Sequence, residues 1–359
     1  MKHIIILLSI VLIGESCITP TEPVGVKSTL ISTIETGGYC RDIAIKDSLL
    51  VLAADENGYL AYTFHFDTNH AFMIDTTLFE NIGAGAGVGF QAGMIEFPER
   101  YNYFIFADLY DALYYVNLTD IDSLGRVPYP GSENRDFIRG FCIDERRENE
   151  LLIYTLNRSE DGNSSFVSTR LITYFDLFIG NDGKIELWDA EFESTEQLNM
   201  SANDLSVGNG LLAVANSQLG VVVFKQQEDG MIADTAFSSY AIDGEGEVIS
   251  VAIHQENIFA GLSHNEGCEV TQLDSSGHMS SSYRIAEGYS VKSIYHYDGL
   301  LALGCGSDGI LLYEWFADTN EFVEYGRLDA AYTYTAVIFD NMTVFAATRD
   351  GLQIFEIER

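Results

Sequence analysis

Basic residues are scarce in this chain: 19 Lys and Arg stand against 54 Asp and Glu, a formal charge of −35. That balance repels nucleic acid and anionic lipid surfaces over most of the molecule. Proline is scarce as well, five in 359 residues, and with 47% hydrophobic residues the composition excludes a disordered or proline-rich chain. Long Ala/Glu/Lys/Leu stretches are missing, whereas β-branched and aromatic residues abound, which predicts an all-β fold. The five cysteines, Cys17, Cys40, Cys142, Cys268 and Cys305, are far apart. They form no C-x-x-C pair and have no histidine at a zinc-site interval. The last four read as free thiols buried like small apolar groups. His65, His70, His254, His264, His278 and His296 make neither H-x-H nor H-E-x-x-H. A G-x-S-x-G elbow is also lacking, since "GCGSDG" has Cys305 where a glycine is required.

A run of apolar residues long enough to span a bilayer is absent near the start, where Ile4 to Gly14 fits only the core of a secretory signal. Next come "GESC" and a Pro/Thr-rich stretch, "ITPTEPVGVK". This resembles a bacterial lipoprotein signal, which implies lipidation at Cys17, with Gly14 and Glu15 departing from the usual residues before the cysteine. The expected organisation is a signal over 1–16, a tether over 17–27 and one domain over 28–359. An exported protein held at the membrane by a lipid anchor alone, in the outer membrane, periplasm or cell surface, is the expected location.

That domain is a repeat. "RDIAIKDSLLVLAADENG" from Arg41 is echoed by "NDLSVGNGLLAVANSQLG" from Asn203, "ISVAIHQENIFAGLSHNEG" from Ile249, "KSIYHYDGLLALGCGSDG" from Lys292 and "TAVIFDNMTVFAATRDG" from Thr335. Each reads as an alternating strand, a short polar turn, a strand ending in small residues, a turn with glycine, and another strand. Gly58, Gly220, Gly267, Gly309 and Gly351 fall where a tight hairpin needs positive φ. Two further units fit with insertions, one with Asp111 at the glycine position and one from Arg139 with both loops lengthened. Anchors at Asp42, Gly93, Gly140, Asp204, Ser250, Ser293 and Ala336 are spaced 51, 47, 64, 46, 43 and 43 residues apart. Seven units of about four strands at a period of ~40–50 residues predict a seven-bladed β-propeller. The last unit has only three strands, and Ser28 to Thr36 alternates like the missing outer one, with Leu30 and Ile34 expected on its apolar face. The N-terminal strand is therefore expected to close the ring.

With these units in view, the chain resembles the LVIVD-repeat propellers, surface or secreted bacterial and archaeal proteins. The matching pieces are Asp42-Ile43-Ala44-Ile45, Ser250-Val251-Ala252-Ile253, Gly309 to Tyr313 and Gly351 to Phe355. The aspartate that ends the family repeat is mostly replaced, with Thr63, Lys225 and Glu314 near its place. The resemblance implies the fold and a surface location, and it carries no catalytic residue with it.

Two motifs bear on cofactors. "GAGAGVG", Gly83 to Gly89, lacks the strand-to-helix setting of a dinucleotide site and reads as a loop. Asn157, Ser159, Asp161 and Gly162 keep calcium-loop phase, but Ser168 stands where the bidentate glutamate belongs. No cofactor is expected, and calcium is the one metal this stretch leaves open.

The residue before each anchor should lie where the inner strand of a blade begins, near one mouth of the channel. Three of these seven, Arg41, Arg139 and Lys292, are cationic, and Asn203 is a fourth polar one. Tyr39, Tyr289 and Tyr334 lie within a few residues of them. Arg41, Arg139, Lys292, Tyr39, Asn203, Tyr289 and Tyr334 are thus the candidate ligand-binding residues, a basic and aromatic mouth that would draw an envelope protein, a glycan or a small anionic ligand. Two functions follow: a monomeric, non-catalytic binding platform, or a propeller hydrolase or lyase with carboxylates at the channel mouth.

Overall fold

A computed structural model describes residues 26–82, 92–98, 103–108, 113–117, 120–126, 137–145, 150–158, 164–173, 178–179, 185–186, 190–194, 198–199, 201–233, 235–340 and 342–358. The signal, Cys17 and most of the tether, the glycine-rich segment 83–89 and Asp111 lie outside the described residues. Within them there is no helix, and the strands form seven antiparallel blades in a β-propeller.

From the channel outward, the first blade consists of Asp42–Lys46, Leu49–Ala53, Tyr59–Phe66 and Phe72–Ile82. The inner strands of the next six begin at Ala92, Phe137, Asp204, Val248, Ser293 and Thr333. The long third unit keeps four strands, Phe137–Asp144, Glu150–Arg158, Ser164–Thr173 and Ala190–Ser194. Its insertion supplies a separate two-stranded hairpin, Phe178–Ile179 with Ile185–Glu186, and Leu198–Asn199 adds to the third strand.

The second strands read as unbroken apolar runs because each blade is buried on both faces. In the first blade, Leu50 and Leu52 pack towards the seventh blade against Phe345, Leu352 and Ile354. Their neighbours Val51 and Ala53 point the other way, onto Ala92, Phe104 and Phe106 of the second blade. Strand alternation sends successive side chains to opposite faces, so one run serves two seams. Seven apolar clusters result, one at each seam of the ring. Each fully buried Val, Leu or Phe contributes ~1.5–3 kcal/mol, which makes the seams the main source of cohesion.

Closure is by the N-terminal strand. Ser28–Ile34 pairs antiparallel with Gly351–Ile357 as the outer strand of the seventh blade. The register slips between Leu30 and Ser32, and this bulge corrects the simple alternation. Leu30 is turned outward, 48% exposed, while Ile31 and Ile34 pack onto the core. The glycine at the adjoining turn is required by space as well as by φ. Gly351 has φ +109°, and a Cβ there would lie 2.3 Å from the carbonyl oxygen of Ile34.

Candidate functional site

The turns between second and third strands rise at the end of the ring where each inner strand starts. There they reach the next blade: Asp55 bridges to Ala92, Ser217 to Val248 and Gly306 to Thr333. Between the seventh blade and the first, the amide of Cys40 donates to the carbonyl of Thr348 at 3.0 Å. Residues from three successive blades are thereby held together on one face.

At the closing seam this face carries a cluster of cations and tyrosines. The Arg41 guanidinium lies 5.4 Å from the centroid of Tyr39 and 4.8 Å from that of Tyr334. Arg349, from the turn of the seventh blade, lies 5.6 Å from Tyr39 and 4.9 Å from Tyr332. Lys292, from the sixth blade, sits 5.8 Å from the Tyr332 ring. The rings themselves form a row, Tyr39 to Tyr334 at 6.3 Å and Tyr334 to Tyr332 at 5.0 Å. Attraction between a cation and the negative face of a ring supports each of these contacts.

Local structure explains the arrangement. The amide of Arg41 donates to Ala53 at 2.7 Å, and its carbonyl accepts from Thr335 Oγ1 at 3.1 Å, which fixes the backbone between two blades. Its guanidinium donates from Nε and Nη2 to Asp55 Oδ2, at 3.1 and 2.8 Å. Gly306 leaves room beneath the Lys292 side chain, since a Cβ there would meet Lys292 Cε at 3.0 Å. Among the described residues, neither Lys292 nor Arg349 makes an ion pair.

Of the residues expected from sequence, Tyr39, Arg41, Tyr334 and Lys292 come together, with Tyr332 as the link between the last two. Asn203 instead spans the fourth and fifth blades, donating from Nδ2 to the carbonyl of Val248 at 2.8 Å. Tyr289 packs against the apolar cluster between the fifth and sixth blades. Arg139 is exposed on the third blade, and no described contact joins it to the cluster. Tyr332 and Arg349 escaped the sequence reading because Arg349 comes from a hairpin turn rather than from the start of an inner strand. An alignment of the turns on Gly58, Gly220, Gly309 and Gly351 would have shown Arg349 next to Thr348, which stands where other blades have Asp55, Ser217 and Gly306.

Channel carboxylates form a second group. Asp42 accepts the amide of Ile95 from the next blade at 3.0 Å, and Asp204 accepts that of Val251 at 3.0 Å. Each also accepts the amide of the residue after it, at 2.9 Å. Glu96 takes the amide of Ile143. Burial pushes Asp42 up to about 7, Asp204 to about 6 and Glu96 to about 8, and for Glu96 the neighbouring Asp42 and Glu145 add to the rise. Glu96 also borders a cavity of about 390 Å³ at the opposite end of the inner strands, lined with Asp144, Glu145 and Gln226.

Of the calcium-loop stretch, Ser159, Asp161 and Gly162 lie outside the described residues, which include Asn157 and Ser168. Both are ladder residues of the third blade, with Asn157 Nδ2 bonded to Ser168 Oγ at 2.9 Å. Cys40, Cys142, Cys268 and Cys305 are free and buried, and burial holds their thiols well above the ordinary range.

A closed seven-bladed ring defines the chain as a β-propeller, and solved structures agree. The virginiamycin B lyase of Staphylococcus aureus is similar at 12% identity, covering 93% of this chain and 99% of that one, with a TM-score of 0.58. The RRP9 WD40 repeats are similar at 11% identity over 94% and 99% of the two chains, TM-score 0.61. A chain of the mitotic checkpoint complex is similar at 10% identity over 95% and 94%, TM-score 0.64. These likenesses show the fold alone. No protein-family model and no curated protein sequence matches the chain.

Proposed function

We propose that this protein is an exported propeller, anchored in the cell envelope through a lipid on Cys17, whose inner-strand-start face is a non-catalytic binding platform. The observation that carries this reading is the cluster of Arg41, Arg349 and Lys292 over Tyr39, Tyr332 and Tyr334, on a chain of charge −35. A rigid ring that presents turns from three blades on one face needs no moving part to bind a partner. The LVIVD-like repeats and the lipoprotein-like N-terminus favour the envelope as its location. Cell fractionation tests the address: Cys17→Ala should move the protein from the membrane to the soluble fraction. Retention of a signal-cleaved Cys17→Ala protein in the membrane would overturn the anchor. Binding of the wild-type protein to isolated envelopes tests the platform.

The hydrolase or lyase reading has one observation in its favour, Glu96. Burial pushes its carboxyl up to about 8, and it borders a cavity beside Asp144 and Glu145, as a general acid would. The hydrogen bond donated by the Ile143 amide gives the same carboxyl a structural task, so the platform is preferred. If the protein turns over any glycoside or polyuronate and Glu96→Gln abolishes that while the fold persists, the enzyme reading replaces it.

A further inference from the structure

The platform reading leaves the ligand's chemistry open, and the cluster at the closing seam narrows it. Three cations converge there, yet only Arg41 has a carboxylate partner among the described residues, Asp55. The Tyr39 ring is shared by Arg41 and Arg349, and the Tyr332 ring by Arg349 and Lys292. Like charges are thus held against common rings on a protein with 54 carboxylates available to neutralise them. The rings supply part of the compensation, and what is left is a positive spot with Arg349 exposed and Lys292 half-buried.

Two features of the cluster say what would fill it. Arg41 directs two N–H groups onto one oxygen of Asp55, so the site already holds a carboxylate in the manner an incoming one would need. The three tyrosines make a row beside the charges, neighbouring rings tilted by 34° and 55°, and Tyr39 is 42% exposed. A ring that is apolar on its faces and anionic at its edge matches both features together.

Building on the platform reading, we propose that Arg349 and Lys292, set on the row of Tyr39, Tyr332 and Tyr334, bind the carboxylate of an acidic sugar, a uronic acid unit of an envelope or extracellular glycan. The guanidinium and ammonium groups pair with the carboxylate, and the pyranose lies along the tyrosines. Arg41 stays with Asp55 and holds Tyr39 and Tyr334 in place.

Isothermal titration of the purified mature protein with trigalacturonate tests this, with trigalactose, inorganic phosphate and an Asp-rich peptide as comparison probes. Trigalacturonate should bind, more weakly as salt is raised, and trigalactose should not. Arg349→Gln and Lys292→Gln should each weaken binding about 10-fold or more, the scale of a lost charge-assisted hydrogen bond of about 1.5–3 kcal/mol. Lys225→Gln, which removes an exposed cation 3.7 Å from the Phe237 ring on the fourth blade, should leave the affinity unchanged. Unaltered affinity in Arg349→Gln and Lys292→Gln, or phosphate or peptide bound as tightly as the sugar, overturns the proposal. So does failure of the wild-type protein to bind trigalacturonate. If in that case the protein still sediments with isolated envelopes, the ligand chemistry is wrong and the platform stands; if it does neither, both are wrong.

Discussion

Asp42 Oδ2 accepts the backbone N–H of Ile95 at 3.0 Å, so a carboxylate of the first blade holds the inner strand of the second. The same contact recurs from Asp204 to Val251 and from Glu96 to Ile143. A carboxylate is the strongest acceptor a side chain offers to an amide. It is also the one whose charge the channel disfavours, which is why burial raises all three groups.

A pH dependence with a definite sign follows. A carboxyl raised on folding stabilises the native state below its unfolded value and loses that contribution as pH climbs through its folded value. For Asp204, Asp42 and Glu96 the loss runs from about pH 4 up to about 6, 7 and 8. The melting temperature of the wild-type protein should therefore fall by several degrees between pH 5 and pH 9. Glu96→Gln keeps an acceptor oxygen for the Ile143 amide and removes the charge, so the fall should shrink. Repulsion within a −35 chain also grows with pH, which makes the difference between the two proteins the informative quantity. Equal slopes would show that the Glu96 carboxyl is not buried as a charge.

Two histidines act in the opposite sense. His254 and His296, on the inner strands of the fifth and sixth blades, lie with ring centroids 3.8 Å apart and planes tilted by 37°, and Trp315 meets both rings edge-on. Burial lowers both, and His254 helps to bring His296 to about 4 despite the nearby Asp298, which acts the other way. A histidine depressed on folding gives up stability as pH falls from its unfolded value near 6.5 towards 4. His296→Phe keeps a ring edge-on to Trp315 and removes the proton site. Thermal melts of this variant should lose less stability than the wild type between pH 6.5 and pH 4.5, and a parallel fall would refute the assignment.

Gly351 links a backbone requirement to ring closure. Substitution by alanine forces a Cβ into the Ile34 carbonyl and a side chain into φ +109°. Its cost should exceed the ~1 kcal/mol of an ordinary Gly→Ala exchange at positive φ, because the N-terminal strand must also shift. Hydrogen exchange should show the amides of Ser28–Ile34 losing protection before those of the inner strands. Uniform loss of protection would mean that the strand is no weaker than the rest of the blade.

The sequence carried the architecture because a blade's needs recur. Leu50, Leu212 and Leu301 stand in the same strand of their units, and each is fully buried. Asp42 and Asp204 were legible too, as equal residues at equal places in "RDIAI" and "NDLSV", but an aspartate in an acidic chain gives no hint that an amide of the next blade awaits it. The site was half legible for a related reason. Arg41 and Lys292 share one repeat position, with Tyr39 and Tyr334 within a few residues of it, whereas Arg349 comes from a turn and joins them only through the curvature of the ring. Leu30 misled because alternation assumes an unbroken register, and the bulge before Ser32 breaks it.

Removing the closing strand is the most direct test of how the ring holds. Ser28–Ile34 covers the edge of Gly351–Ile357 and packs Ile31 and Ile34 onto the seam between the seventh and first blades. Lys27 adds an exposed ion pair to Glu358 and accepts that residue's amide at 2.9 Å. Replacing residues 28–34 by a Gly/Ser segment of equal length keeps the tether and takes away the strand. Two half-buried isoleucines and a row of backbone bonds should then be lost, a destabilisation on the order of 3–6 kcal/mol. The bared edge should also pair between molecules and cause aggregation. A synthetic peptide of residues 27–36 added in trans should dock on that edge and recover part of the lost melting temperature, as strand addition does elsewhere. An unchanged melting temperature in the replaced protein would mean that the ring is closed by the seams alone, with the N-terminal strand merely laid against it.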